Sequence, residues 1–388
     1  MIIKPAERLA DTKEYYFSVK LKEIKKMVDE GIDVINLGIG SPDLPPSDET
    51  INRLIESVKN PRNHGYQSYV GIPEFRRGFA EKYKSLYGVD LNVNTEILPL
   101  LGSKEAIMHI SLTFLDFGDE VLVPNPGYPT YSSASKIAGG VVRTYDLLEA
   151  NGYYPDFEAL QKQDLSKVKL MWLNYPNMPT GAPATDEVFI KAIAFAKKNH
   201  ILLVHDNPYS SILNHNQLSI LAYPGGKEVA LELNSMSKSH NMAGWRVGLV
   251  VGHEDYIQSI LKVKSNIDSG HFLPIQHAAA TACFNPLAWH EEQNSIYKRR
   301  REIIWKILDT LGSKYNKQQV GMFLWGRIPE KFKSSEEFTE FFLQKAHVFM
   351  TPGFIFGSNG EGYLRISITI PENRLLEALK RIESLVSL

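Results

Sequence analysis

What this chain lacks narrows its identity first. It holds a single cysteine, Cys283, so no disulfide can form within it. Cys283 follows small apolar residues, Ala278 to Ala282, and reads as a buried thiol. Basic residues number 43 and acidic ones 44, a net charge of −1. Nothing in that balance favours a nucleic-acid or anionic-membrane partner. No apolar run approaches the ~18 residues of a membrane span. The first residues carry no apolar core of signal-peptide length, so a cytoplasmic location is expected. There is no strand–GxxxxGK[ST]–helix for a nucleoside triphosphate, and no Gly-x-Gly-x-x-Gly after a strand for a dinucleotide. Internal repeats, low-complexity tracts and an N-terminal helix-turn-helix module are missing too, and no metal site is read.

What is present is the composition of an ordinary globule, 43% hydrophobic and 22% charged. At 388 residues the length suggests two or three domains, or one large domain with an appendage. A polar start with a helix over 18–30 leads into a short strand, Val34 to Leu37, and a glycine turn, 38–43. Pro45, Pro46 and Ser47 open a helix whose apolar residues are Ile51, Leu54, Ile55 and Val58. A second helix puts Phe75, Phe79 and Tyr83 on one side. From residue 97 strands and helices alternate. Apolar strands are predicted over 97–101, 120–123, 141–145, 168–175, 201–204, 229–233 and 247–251. Thr185 caps an intervening helix with Asp186 and Glu187 in its first turn.

That pattern predicts an α/β fold, a large domain whose mostly parallel sheet is flanked by helices. Past residue 285 the character changes. A charged helix over 290–311, strands at 321–325, 348–350 and 362–369, a helix over 336–345 and a terminal helix over 371–388 predict a small α+β domain. The terminal helix turns Leu375, Leu379, Ile382 and Val386 inward. The expected division is 1–45 joining the small domain, 46–285 as the large domain and 286–388 as the small one.

Parallel sheets place ligands at the carboxyl ends of their strands, and the notable polar residues gather there. Gly102, Ser103 and Lys104 stand where a strand enters a helix, where free amides and the dipole bind anions. Tyr128 follows a Pro-Gly turn and could stack on a planar ring. Asp206 ends an apolar strand, with Tyr209 three residues on. A buried acid needs a partner, and a protonated ring nitrogen such as that of pyridoxal phosphate is one. Lys238 leaves a strand just after Ser235 and Ser237, with Arg246 eight residues on. An amine held in a cleft can form an imine, and two hydroxyls with a guanidinium suit a phosphate. Arg365, inside an apolar strand, can grip a carboxylate. Singly, each has a plainer reading: a surface lysine, a capping serine, a packing tyrosine, a turn-capping aspartate, a structural salt bridge.

Together these residues resemble the class I aminotransferases, pyridoxal-phosphate enzymes of the aspartate aminotransferase fold (fold type I). The string Ser-x-Ser-Lys-x-x-x-x-x-Gly-Trp-Arg of that family stands here at 235–246. The resemblance implies Lys238 as imine former and proton shuttle, with Ser235, Ser237 and Arg246 on the phosphate. It implies Gly102 to Lys104 as the phosphate loop and Tyr128 on the ring face. Asp206 meets the ring nitrogen and Tyr209 the phenolic oxygen. Tyr66 reaches the phosphate of a neighbouring subunit, which makes a homodimer. Gly40 and Arg365 receive the substrate's α-carboxylate. Residues 174–181 resemble the family's Asn-Pro-Thr-Gly turn, with one departure. Met178 stands where asparagine usually bonds the phenolic oxygen, leaving Asn177, a water or Tyr209 to serve.

The expected activity is ping-pong transfer of an amino group between an L-amino acid and a 2-oxo acid. A lyase or racemase on the same scaffold is the alternative. Tyr15 to Phe17 and 266–270 resemble substrate-near stretches of the diaminopimelate and alanine-type branches.

Overall fold

The structure is a computed structural model that describes residues 16–386 and, ahead of them, Ile3, Lys4, Ala6 and Leu9. Tyr15 lies outside the described residues. The chain begins with α1 (Tyr16–Asp29), two residues before the expected start, then β1 (Ile35–Asn36), α2 (Asp48–Val58) and α3 (Pro73–Tyr87). The alternating region follows as β2 (Ile97–Leu100), α4 (Ser103–Phe114), β3 (Glu120–Asn125), α5 (Pro129–Ile137), β4 (Val141–Asp146), α6 (Phe157–Gln161), β5 (Val168–Asn174), α7 (Asp186–Asn199) and β6 (Leu202–Asp206). It closes with α8 (Gly226–Val229), β7 (Ala230–Ser235), α9 (Met236–Ser239), β8 (Gly248–Gly252), α10 (Glu254–Lys264) and α11 (Leu273–Ala282). Among the described residues no helix is long and apolar enough to cross a membrane.

Seven strands form the large sheet in the order β2-β8-β7-β6-β5-β3-β4. All neighbours are parallel except β8, which runs antiparallel to both β2 and β7. β8 therefore starts, at Gly248, on the edge where β2, β3, β5, β6 and β7 end. Alternate residues of the strands feed two cores. Met171, Leu203 and Leu249 face one side, where α3 adds Phe75, Phe79 and Tyr83; Trp172, Val204 and Val250 face the other, where α4 adds Ala106, Ile107 and Ile110. Caps fall where the sequence puts them. Ser47 Oγ accepts from the Thr50 amide at 3.3 Å, and Thr185 Oγ1 from the Val188 amide at 3.2 Å.

The remaining elements are α12 (Leu287–Thr310), β9 (Lys314–Tyr315), β10 (Phe323–Arg327), α13 (Ser335–Ala346), β11 (Val348–Phe349), β12 (Thr351–Pro352), β13 (Tyr363–Ser367) and α14 (Glu372–Val386). An antiparallel sheet of order β12-β13-β10-β9 packs with α12 and α14 around a core of its own, to which Ile35 and Leu37 also belong. The single strand expected over 348–350 is two. β11 pairs with β1, and past Met350 the chain crosses to pair β12 with β13.

The helix expected after Ser47 forms, yet its apolar ridge is not buried within this chain: Ile51 and Leu54 are half-buried, Ile55 and Val58 exposed, and the helix packs on α11. Two other expectations fail. Val386 is exposed at the frayed end of α14. Cys283 is only half-buried, although its sulfur lies under Gly78 and burial pushes the thiol up to about 12.

Candidate active site

Six chain segments converge on a cavity of about 270 Å³ at the carboxyl edge of the large sheet. Its wall includes Ser103, Lys104, Tyr128, Asp206, Tyr209, Ser235, Ser237, Lys238 and Arg246. One cavity thus gathers nine of the residues singled out in the sequence.

The anion end is built by close packing. Gly102 caps α4 at φ 91°, a backbone region closed to most side chains, and a Cβ there would strike the Arg246 guanidinium. A Cβ on Gly248 would lie 2.5 Å from the Ser103 nitrogen. Two glycines thus let the first turn of α4 and the start of β8 close on each other, with Arg246 across the gap. Arg246 Nη1 donates to Ser237 Oγ at 3.3 Å and to the Ala243 carbonyl at 2.8 Å. Ser235 caps α9, its Oγ accepting from the Ser237 amide at 3.2 Å. Helix amides, hydroxyls and a guanidinium on one point make a dianion site.

The opposite end is an acid. Asp206 is buried; its Oδ2 accepts from the Tyr131 hydroxyl at 2.8 Å, while Oδ1 has no hydrogen-bond partner among the described residues. Burial raises its carboxyl to about 6, against the opposing pull of the Tyr131 bond and of the neighbouring His205. A buried, unpartnered carboxylate oxygen facing a cavity calls for a donor. Tyr131, stacked on Trp172 at 4.9 Å, is the residue the sequence reading missed. Its only signal is the i, i+3 spacing from Tyr128 at the start of α5.

Lys238 lies between these ends. Burial first, then the charges of Arg365 and Arg246, lower its ammonium to about 8. Its Nζ donates to the Gly40 carbonyl. Gly40 is held by space, since a Cβ would run into Phe323. Arg365 is buried, donates to the Gly38 carbonyl at 2.7 Å, and lies 4.0 Å from the Phe323 ring centroid.

Met178 also lines the cavity, and its Sδ accepts from Arg365 Nη1 at 3.3 Å. Asn177 does not replace the missing asparagine. Its Nδ2 donates to the Asn174 carbonyl at 3.1 Å and its Oδ1 accepts from Thr180 Oγ1 at 2.7 Å, so its amide is spent on its own turn. Tyr66 is outside the cavity and 94% exposed.

The donor set fits pyridoxal 5'-phosphate. A dianion cradle, an aromatic wall, a depressed amine and an acid with an open oxygen match its phosphate, ring, carbonyl and ring nitrogen. The fold has many relatives. A structure of substrate-bound BacF from Bacillus subtilis superposes with a TM-score of 0.94 at 39% identity, covering 99% of this chain and 98% of that one. A Thermus thermophilus aspartate aminotransferase mutant gives 0.92 at 26% identity, covering 99% and 100%. The LL-diaminopimelate aminotransferases of Aquifex aeolicus and Halothermothrix orenii are 40% and 41% identical, each over 98% of both chains. The model of the family "Aminotransferase class I and II" matches residues 32–382. The chain belongs to that family, the pyridoxal-phosphate-dependent enzymes that move an amino group between an amino acid and a 2-oxo acid.

Proposed function

We propose that Lys238 is the residue joined to the cofactor, and that its Nζ then carries the substrate's α-proton. The observation behind this is that Nζ shares one cavity with the open Asp206 Oδ1. Bound pyridoxal phosphate supplies a carbonyl that condenses with amines and a ring that takes up the electron pair left by the α-proton. The chain does the rest. With its ammonium lowered to about 8, Lys238 has a share of neutral amine near neutral pH and can accept a proton and return it. Asp206 Oδ1 would accept from the ring nitrogen and keep it protonated. Tyr209 would donate to the phenolic oxygen, without help from position 178. Ser103, Lys104, Ser235, Ser237 and Arg246 would hold the phosphate, with Tyr128 as the aromatic wall for the ring. Gly40 and Arg365 receive the α-carboxylate in a site where burial strengthens a charge-assisted bond. Tyr66, exposed here, reaches the phosphate of a second copy, making the working unit a homodimer.

We also propose the division 1–45, 46–285 and 286–388. The packing of α2 on α11 supports the middle unit, and β1 on β11 supports joining the first segment to the last. LL-diaminopimelate is the proposed amino donor, on the strength of relatives matched over nearly their whole length.

Borohydride reduction followed by peptide mapping should place a pyridoxyl label on Lys238, and Lys238→Ala should bind cofactor without turnover. A label elsewhere, or an active variant, overturns the assignment. LL-diaminopimelate alone should convert the bound cofactor to pyridoxamine phosphate. A better donor of another class would overturn the substrate reading only, and release of carbon dioxide or racemic substrate would replace amino transfer.

A further inference from the structure

Directly behind Asp206 lies a buried pair that the reaction as described does not use. His205 and Glu232 are partners in register on β6 and β7, and both are fully buried. His205 Nε2 lies 2.9 Å from the Tyr175 carbonyl oxygen, and Nδ1 lies 2.9 Å from Glu232 Oε2. A carbonyl oxygen only accepts, so Nε2 carries a hydrogen.

The position of the other hydrogen follows from the bonds to Glu232. Its Oε2 accepts from the Ser219 hydroxyl at 3.0 Å and the Ile220 amide at 3.1 Å. Ser219 Oγ itself accepts from the Leu221 amide, so its own hydrogen is the one that Glu232 receives. Oε1 accepts from the Tyr83 hydroxyl at 2.8 Å and from Asn207 Nδ2 at 3.5 Å. Both oxygens already accept bonds from other donors, and neither has room to carry a proton. The group is a carboxylate, and the hydrogen between it and His205 sits on Nδ1. His205 thus has hydrogens on both nitrogens. A lone buried charge would be costly; this one is matched by an opposite charge with its remaining lone pairs satisfied.

The other ionisable groups facing the pair are Tyr83 and Tyr87 of α3, both kept as phenols by burial. Phe189 packs edge-on against the imidazole at 4.8 Å. On the Asp206 side the facing phenols are Tyr131 and Tyr128 of the α5 start, and Tyr209, Lys238 and Arg246 line the same cavity. Successive strand residues point to opposite faces, so His205 touches neither cavity nor cofactor site. It can act there only by its charge, through the next residue in β6.

We propose that His205, with a hydrogen on each nitrogen and Glu232 as its counter-charge, is an imidazolium that keeps Asp206 ionised. It is a positioning residue for the ring nitrogen, and this rests on reading Asp206 as that nitrogen's partner. The need is real, because burial drives Asp206 towards its neutral form. A protonated Asp206 could not hold a protonated ring nitrogen. Without the charge on His205 the acid limb of cofactor binding moves to higher pH, by on the order of one pH unit for charges at this separation in a protein interior.

The test uses the full chain. Nitrogen-15 spectra of histidine-labelled holoenzyme should show one histidine with both ring nitrogens protonated, as the bonds to Tyr175 and Glu232 require. A singly protonated His205 in that spectrum overturns the proposal without any variant. Pyridoxal phosphate affinity against pH should keep its shape but shift its acid limb upward by about one unit in Glu232→Gln and in the doubly neutral His205→Gln/Glu232→Gln. An unmoved limb in variants with wild-type circular dichroism overturns it as well. A wild-type chain that takes up no pyridoxal phosphate would overturn the role of Asp206 and this inference together; an unmoved limb in a chain that binds overturns this inference alone.

Discussion

Asp206 sits in surroundings that suit a carboxylate poorly before the cofactor arrives. Its carboxyl titrates at about 6 when folded, against an ordinary 3.8. The folded chain therefore holds this proton more tightly than the unfolded one. The resulting stability is fully present below the unfolded value and is lost as pH rises through about 6. That loss amounts to about 3 kcal/mol at most. Asp206→Asn removes the titration and keeps an acceptor for Tyr131. At pH 8 the cofactor-free variant should be more stable than cofactor-free wild type by up to about 3 kcal/mol, and near pH 4 the two should converge. Urea unfolding at both pH values checks this; a difference independent of pH would refute it. Function would suffer meanwhile, because an amide cannot balance a charged ring nitrogen. At this scale the site was legible where its chemistry is local in sequence. Ser235, Ser237, Lys238 and Arg246 fall within twelve positions and announce themselves. Tyr131 did not, because what makes it functional is a bond to a residue 75 positions away. His205 was passed over for the same reason: its meaning lies in Glu232, on another strand.

The elements were legible where apolar runs are short and bounded, and their directions were not. A run such as 247–251 looks the same whichever way it is laid. β8 is antiparallel to β7, and the link between them is spent on α9 and a 3-10 turn at Ala243–Trp245 rather than on a crossover helix. Helices α5 and α11 are short or built of small residues, without a clean apolar stripe, whereas α10 carries Tyr256, Ile257, Ile260 and Leu261 at helical spacing and was legible. The antiparallel entry of β8 nevertheless makes the anion cradle, by laying Gly248 against the first turn of α4. Gly248→Ala puts a methyl 2.5 Å from the Ser103 nitrogen and 2.8 Å from the Gly102 carbonyl carbon. Backbone atoms cannot swing aside as a flexible side chain can, so the turn must move. Pyridoxal phosphate affinity should fall at least about tenfold, as for loss of a charge-assisted bond. The melting temperature of the cofactor-free variant should drop by only a few degrees. Equilibrium dialysis beside thermal unfolding separates the two effects. Wild-type affinity would mean that the contact between α4 and β8 does not shape the cradle.

The apolar ridge of α2 gives the whole-molecule prediction. A stripe of Ile51, Leu54, Ile55 and Val58 has the period of a core-facing helix, yet Ile55 and Val58 are 46% and 39% exposed. Tyr66 is exposed nearby in sequence, and Ile267 and Phe272 are exposed on a loop that packs against residues 67–68 through Gly270. Apolar surface of this kind is what a second copy would cover. If two copies do so with Tyr66 crossing over, each cavity needs Lys238 from one chain and Tyr66 from the other. Lys238→Ala and Tyr66→Ala then fail for different reasons, the second through weak cofactor hold. Mixed, unfolded and refolded together at low cofactor, they should regain about a quarter of wild-type activity. About half the dimers are hybrids, and each hybrid has one intact site of two. Light scattering should report a dimer for every sample. Recovery no greater than the sum of the separate variants would mean that Tyr66 serves its own chain or none, and a monomer in light scattering would leave the α2 ridge without its partner.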